Sequence, residues 1–447
     1  MLLLTLAVAP IPLGANRDWA WSPLAALVGL TLLVDSLGRL GGRRVSPALS
    51  REMVIAMAGV GIAILWAAFQ LLPLPSFGAV NSLLSSSAEA LGQSASRRMA
   101  TGAEEAITGI MRLLTYCGVF WLSAQFCRDS RFARRLAWTI VASAVLITLY
   151  GLAMQIDNGS CIVLNIAKAP IGSSCAFSGT FRNPDHYAAF AGLGAIVCIA
   201  EIQRRLLRID PSSMNFRLRL RARLAALSAS GVAGGASILL IGGLFLSGSK
   251  GGTASFLVAV VALVAVLNFA SRRRSWATLV SVITISLLVV AVGAIGGEML
   301  AIRLLQFLAH GDSDRMAIYS ASLQAIGLRP FAGWGLGSFE GIYTVLQPFS
   351  VKLIYAQAHN TFLESAVELG VPVAFCLVGG IVLLVLRCLV GVFQRSRDIH
   401  YPAMAVGCAV VVGVHSLFDF SLQIPAVAIG FSALLGMGWA QSRSSRA

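Results

Sequence analysis

Long apolar runs, separated by short clusters of polar and basic residues, set the pattern of this chain. A helix needs about 20 apolar residues to cross a hydrocarbon layer of roughly 30 Å. Runs of that kind fall near 1–15, 21–38, 53–71, 106–126, 136–155, 185–203, 227–246, 252–269, 276–297, 371–390, 402–418 and 424–440. The pattern predicts an all-α, polytopic membrane helix bundle of about 12 transmembrane helices. The first run is the weakest, because Pro10, Pro12 and Gly14 interrupt it. It lacks the basic start and small-residue cleavage site of a signal peptide, so it reads as a span.

Composition agrees with the pattern. The chain is 57% hydrophobic and 12% charged, against about 25% charged residues in soluble domains. A soluble fold could not hide so much apolar surface, and no separate soluble domain is visible. Residues 1–447 read as a single integral membrane domain in contact with the lipid bilayer.

The basic residues fix an expected orientation. With both ends on one side, most of the 34 Lys and Arg gather on that side. Arg43 and Arg44, Arg134 and Arg135, Arg217 to Arg223, Arg272 to Arg274, Arg395 and Arg397 are among them. Positive residues mark cytoplasmic connections. Both termini are therefore expected in the cytoplasm of a bacterial inner membrane. The net charge of +15 is then a topology signal, and without a folded basic domain no nucleic-acid partner is expected.

This orientation places three long loops outside, near 72–105, 156–184 and 298–361. Long loops carry function or wrap a site. Helical periodicity over Met316–Ile326 and the turn Gly333-Trp-Gly-Leu-Gly337 suggest that the large periplasmic loop, 298–361, lays short helices over the outer mouth of the bundle. Cys161 and Cys175 share one outer loop, where a disulfide is expected to be able to form. The other six cysteines lie in or beside spans and read as packing residues.

Candidate chemistry gathers at the same face. Lys250 sits in Ser247-Gly-Ser-Lys-Gly-Gly252, where convergent backbone N–H groups and a helix start would favour an anion. Arg182 lies in Gly179-Thr-Phe-Arg-Asn-Pro-Asp-His186 at the entry to a span; Asn183 or Asp185 could simply cap that helix. Arg315 follows Asp312-Ser-Asp314, and Asp314 reads as the cap of a helix starting at Arg315. In Ala358-His-Asn-Thr-Phe-Leu-Glu364, Thr361 and Glu364 form a capping-box pattern. His359 would then stand just outside a helix N-terminus, placed to accept a proton, with Asn360 beside it. His415 and Asp419, four residues apart near the end of a span, are either functional or bonded to each other.

These segments resemble the O-antigen ligase and polymerase superfamily. The resemblance rests on Gly179-Thr-Phe-Arg-Asn-Pro-Asp-His186, Ser249-Lys-Gly-Gly252, Arg315 with Gly333-Trp-Gly-Leu-Gly-Ser-Phe339, and His359-Asn-x-x-Leu-Glu364. It implies a membrane glycosyltransferase that moves a glycan from undecaprenyl diphosphate to an acceptor at the periplasmic face, with inversion and with neither metal nor other cofactor. The acceptor would be a second glycan, lipid A-core or a protein hydroxyl. His359 would be catalytic; Lys250, Arg182 and Arg315 would hold the donor diphosphate. Asp419, His415, Asn360 and Asp185 would support them. Two departures stand out. The family's arginine between the middle spans is Lys250, which keeps the charge and loses the fork. Tyr319 replaces the tryptophan that usually follows the loop arginine. A polytopic transporter or flippase and a non-catalytic envelope assembly protein are the other readings. A transporter would carry symmetric repeats and charge at mid-membrane, whereas here the polar residues gather at one face.

Overall fold

The computed structural model describes residues 1–42, 50–73, 98–156, 177–207, 209, 215–270, 313–348, 351 and 353–443. Among them the chain is all-helical. The helices are α1 (Leu2–Val8), α2 (Asp18–Leu40), α3 (Arg51–Gln70), α4 (Ala103–Phe126), α5 (Ser130–Ile156), α6 (Pro184–Leu207), α7 (Phe216–Ala229), α8 (Gly231–Leu246), α9 (Lys250–Ala270), α10 (Ser313–Leu328), α11 (Phe339–Leu346), α12 (Thr361–Leu369), α13 (Val371–Gln394), α14 (His400–His415) and α15 (Pro425–Gln441).

Seven of the described helices, α2 to α6, α9 and α13, are long and apolar enough to cross a membrane. The chain is a multi-pass membrane protein. Helices α8, α14 and α15 fall on three further expected spans. The expected span at 276–297 and the Cys161–Cys175 pair lie outside the described residues. The first expected span is corrected. Its apolar run makes only the seven-residue α1, about 10 Å long, and then breaks at Pro10 into turns with Leu13, Gly14 and Ala15 at positive φ. Proline removes the N–H that a continuing helix would need.

Helix starts follow local chemistry. Ser50 accepts the N–H of Met53 at 3.3 Å, and Asn215 accepts that of Leu218 at 3.0 Å. Prolines occupy the first turns of α6, α13 and α15, where no N–H partner is lost. Helices α6 and α15 are buried along nearly their whole length, so they form the centre of the bundle. Leu30, Leu33, Leu65 and Phe375 of α2, α3 and α13 are exposed, as lipid-facing residues should be.

The two ends of the bundle differ. At one end Arg39 pairs with Asp35 and Arg204 with Glu201. There the Gln441 amide also donates to the carbonyl of Cys127 at 2.6 Å. The other end carries α10, α11 and α12, which share a small core of Ile318, Trp334, Phe339, Tyr343 and Val367. The glycine turn clasps this layer to the bundle. Gly335 has φ +107°, and a methyl there would come 2.5 Å from the Cα of Ala100. The Trp334 indole donates to the carbonyl of Ala325 at 2.9 Å, and the Trp334 N–H to that of Val367 at 3.0 Å. The turn is therefore a packing device rather than a ligand loop.

Candidate active site

Helix α14 has 16 residues, and residues 416–424, which join it to α15, carry the polar centre. Asp419 is 4% exposed at its side chain. Its Oδ1 lies 3.5 Å from His359 Nδ1, and its Oδ2 lies 3.5 Å from His186 Nε2. Ser421 Oγ donates to Asp419 Oδ2 at 2.7 Å. The same oxygen is 2.9 Å from His415 Nδ1. A hydroxyl has one proton to give, so His415 Nδ1 must supply the other. The side chains of His415 and Asp419 are thus bridged by Ser421, and the direct bond at their four-residue spacing is a backbone one, from the Asp419 N–H to the His415 carbonyl at 2.9 Å.

His359 is held in an unusual pose. Its φ is +51°, a left-handed value uncommon outside glycine. Both neighbours are anchored. The Ala358 N–H donates to the Glu364 carboxylate at 2.8 Å. Asn360 caps α12, its Oδ1 accepting the N–H groups of Phe362 and Leu363 at 3.0 and 3.1 Å. The capping box expected at Thr361 is corrected: the helix starts there, but Asn360 is the cap and Glu364 reaches past it. Thr361 N–H donates to the carbonyl of Ser416 at 2.9 Å, and the Tyr319 hydroxyl to that of His359 at 3.3 Å. Surroundings that fix both flanks keep such a backbone in place. Phe420 stands edge-on to both His186 and His359, which sets the ring planes.

The cationic segments meet this centre from two sides. Ser249 Oγ donates to Asp185 and accepts the Gly252 N–H at 2.9 Å. This leaves the first N–H groups of α9, those of Lys250 and Gly251, without an intrahelical partner. Gly251 packs on the His415 ring: a methyl there would come 3.3 Å from Nε2. Lys250 is exposed beside that contact. Arg315, half-buried on α10, is close enough for its charge to act on His415. Helix α10 begins at Ser313, so Asp314 lies in its first turn and is not the cap expected. Asn183 accepts the Asp185 N–H at 2.8 Å, so the capping falls to Asn183 and Asp185 turns to Ser249. Arg182 is exposed, three residues before Asp185, and no described contact draws it to the histidines.

Electrostatics divide the roles. Burial alone would raise the Asp419 carboxyl. His359 beside it, the nearby His186 and His415, and the Ser421 hydroxyl outweigh burial and hold it down at about 2. Asp419 is therefore ionised at neutral pH and is a poor proton acceptor. His359, 24% exposed at its side chain, is the member of the pair that a substrate can reach. Asp419 Oδ1, His186 Nε2 and His415 Nε2 are buried without a hydrogen bond of good geometry among the described residues. Such orphaned groups call for an explanation, and a catalytic role is one. Among the described residues no three His, Cys, Asp or Glu side chains are arranged to hold a metal ion.

Two deeper carboxylates brace the site. Burial and the neighbouring Glu368 charge push Glu364 well above the usual carboxylate range, against the Ala358 N–H and the Gln423 side chain. Burial pushes Glu368 up to about 7, against the N–H groups of Gly337 and Phe339.

His186, Ser421 and Ser249 were not among the residues expected to matter beyond their motifs. His186 had a signal, since it ends the same segment as Arg182. Ser421 had none, because only the fold turns it back onto His415.

The family model described as O-antigen ligase matches residues 235–378. That stretch holds Lys250, Arg315, the glycine turn, His359 and Asn360, whereas Asp185, His415 and Asp419 lie outside it. No curated protein matches the chain.

Proposed function

We propose that this chain, whose residues 235–378 match the O-antigen ligase family model, transfers a glycan from undecaprenyl diphosphate to an acceptor hydroxyl. The transfer takes place at the periplasmic face of the inner membrane. His359 Nε2 takes the proton of the acceptor hydroxyl as that oxygen attacks the anomeric carbon from the face opposite the leaving group. The new glycosidic bond forms as the bond to the diphosphate oxygen breaks, so the configuration inverts. Asp419 holds Nδ1 of His359, selects the tautomer with a free Nε2 and stabilises the imidazolium that results. The departing diphosphate takes its stabilisation from Lys250, Arg315 and Arg182, and from the start of α9. The polyprenyl tail lies among the apolar helices below.

The observation that carries this reading is the His359–Asp419 pair at 3.5 Å, with Arg315 and the start of α9 beside it. A solvated or capping histidine has no reason to meet an ionised, buried aspartate from another segment. Deletion followed by glycan profiling of the envelope tests the reading. Loss of chain length indicates a polymerase, and loss of attachment indicates a ligase. An unchanged glycan profile contradicts both.

A further inference from the structure

The bundle holds a second polar assembly at the end opposite the histidines. Arg205 and His186 both belong to α6 and stand 19 residues apart, about 28 Å along that helix. Around Arg205 lies an open cavity of about 640 Å³, lined by Arg131, Arg134, Arg135, Trp138, Ser230 and Val232, among others. Nothing in the glycan-transfer reading uses it.

Its charge is unbalanced. Arg131, Arg134 and Arg135 share one face of α5 at three- and four-residue spacing, where like charges repel. Arg205 has a carboxylate partner, Glu201, at 3.3 Å. The three α5 arginines have none among the described residues. A preference for positive charge on one side of the membrane explains how many arginines a connection holds. It does not explain why three of them ring a cavity shared with α6 and α8.

The cavity is also graded in polarity. Trp138 stands one to two turns along α5 from the arginines, and Val232 and Ala233 of α8 continue the apolar wall. Cations thus line one part of the cavity and an aromatic–aliphatic slot the rest. A bare phosphate would fill little of that volume and would gain nothing from the slot. Helix α7 meets α8 at 71°, and it exposes Leu218, Leu220, Leu224 and Leu227 together with Arg217 and Arg221. Basic pockets between membrane helices bind the headgroups of anionic lipids.

We infer that this cavity binds one anionic glycerophospholipid, its phosphate among Arg131, Arg134, Arg135 and Arg205 and an acyl chain along Trp138 and Val232. The lipid fastens the start of α5 to the α6–α8 seam.

The full chain in phosphatidylcholine nanodiscs tests this, with phosphatidylglycerol added and with inorganic phosphate as a separate arm. Melting temperature and native mass spectrometry are the readouts. Phosphatidylglycerol should raise the melting temperature and leave a retained adduct of one lipid mass. Neither inorganic phosphate nor further phosphatidylcholine should do so. The triple variant Arg131→Gln, Arg134→Gln, Arg135→Gln should lower the adduct fraction by about tenfold. Val232→Trp keeps every charge and fills the slot at an exposed position, and it should lose the adduct too. Arg217→Gln with Arg221→Gln, on α7, should keep it. An equal rise with inorganic phosphate would show a free-anion site and overturn the proposal. So would an adduct that survives both cavity variants, or one that α7 alone abolishes.

Discussion

His359 Nδ1 and Asp419 Oδ1, 60 positions apart in sequence, lie 3.5 Å from each other. The contact joins the loop before α12 to the turn between α14 and α15. It makes one exposed imidazole and one buried carboxylate a unit. Asp419→Asn keeps the shape and removes the charge. Transfer should fall with the donor KM little changed, because the imidazolium that forms in the transition state loses its counter-ion. Wild-type turnover in Asp419→Asn would assign Asp419 a packing role.

Ser421 passes the His415 N–H on to the same carboxylate. Ser421→Ala should slow transfer by less than Asp419→Asn, since it removes a positioning bond worth about 1 kcal/mol. Steady-state rates of the two variants side by side check the order. A Ser421→Ala enzyme as slow as Asp419→Asn would mean that the bridge, rather than the carboxylate, governs the site.

At the start of α9 the required property is positive charge. Lys250→Arg should keep most of the activity and Lys250→Ala should raise the KM for the lipid-linked donor. An unchanged donor KM in Lys250→Ala would remove this residue from the diphosphate site.

Glu368 links stability to pH. Its folded carboxyl is raised to about 7, whereas an unfolded glutamate titrates near 4.3. Between those values the unfolded chain releases a proton that the folded chain retains, so stability falls as pH rises through this window and levels off above about 7. Melting curves from pH 5 to pH 8 should show the fall. Glu368→Gln should flatten it while still accepting the N–H groups of Gly337 and Phe339. A slope that persists in Glu368→Gln would place its origin elsewhere, with Glu364 next to be replaced.

Much of this arrangement could be read from residue pattern. Membrane spans announce themselves because each helix must satisfy its own backbone in lipid, which forces long apolar runs. The starts of α12 and of α6 were legible to within a residue or so, at Thr361 and Pro184. Prolines at 10 and 12 were visible too, but apolar content alone could not say that they end α1 after seven residues. The caps were harder. Asn360 and Thr361 are both good caps, and only the pull of Glu364 on Ala358 decides between them. The partners of Asp419 were beyond reach from sequence. His359, His186 and Ser421 come from three segments, and their meeting depends on the turn that follows α14.

The most direct test of the account is a transfer assay with purified full-length protein, an undecaprenyl-diphosphate-linked glycan and its acceptor, comparing wild type with His359→Ala. The variant should insert, melt near the wild-type temperature and still bind donor, because the bonds that anchor both flanks of residue 359 remain. Its turnover should fall by about 10²- to 10⁴-fold, the usual contribution of a positioned base. Wild-type turnover in His359→Ala would contradict the account, since no other described group at the rim is both exposed and paired to Asp419.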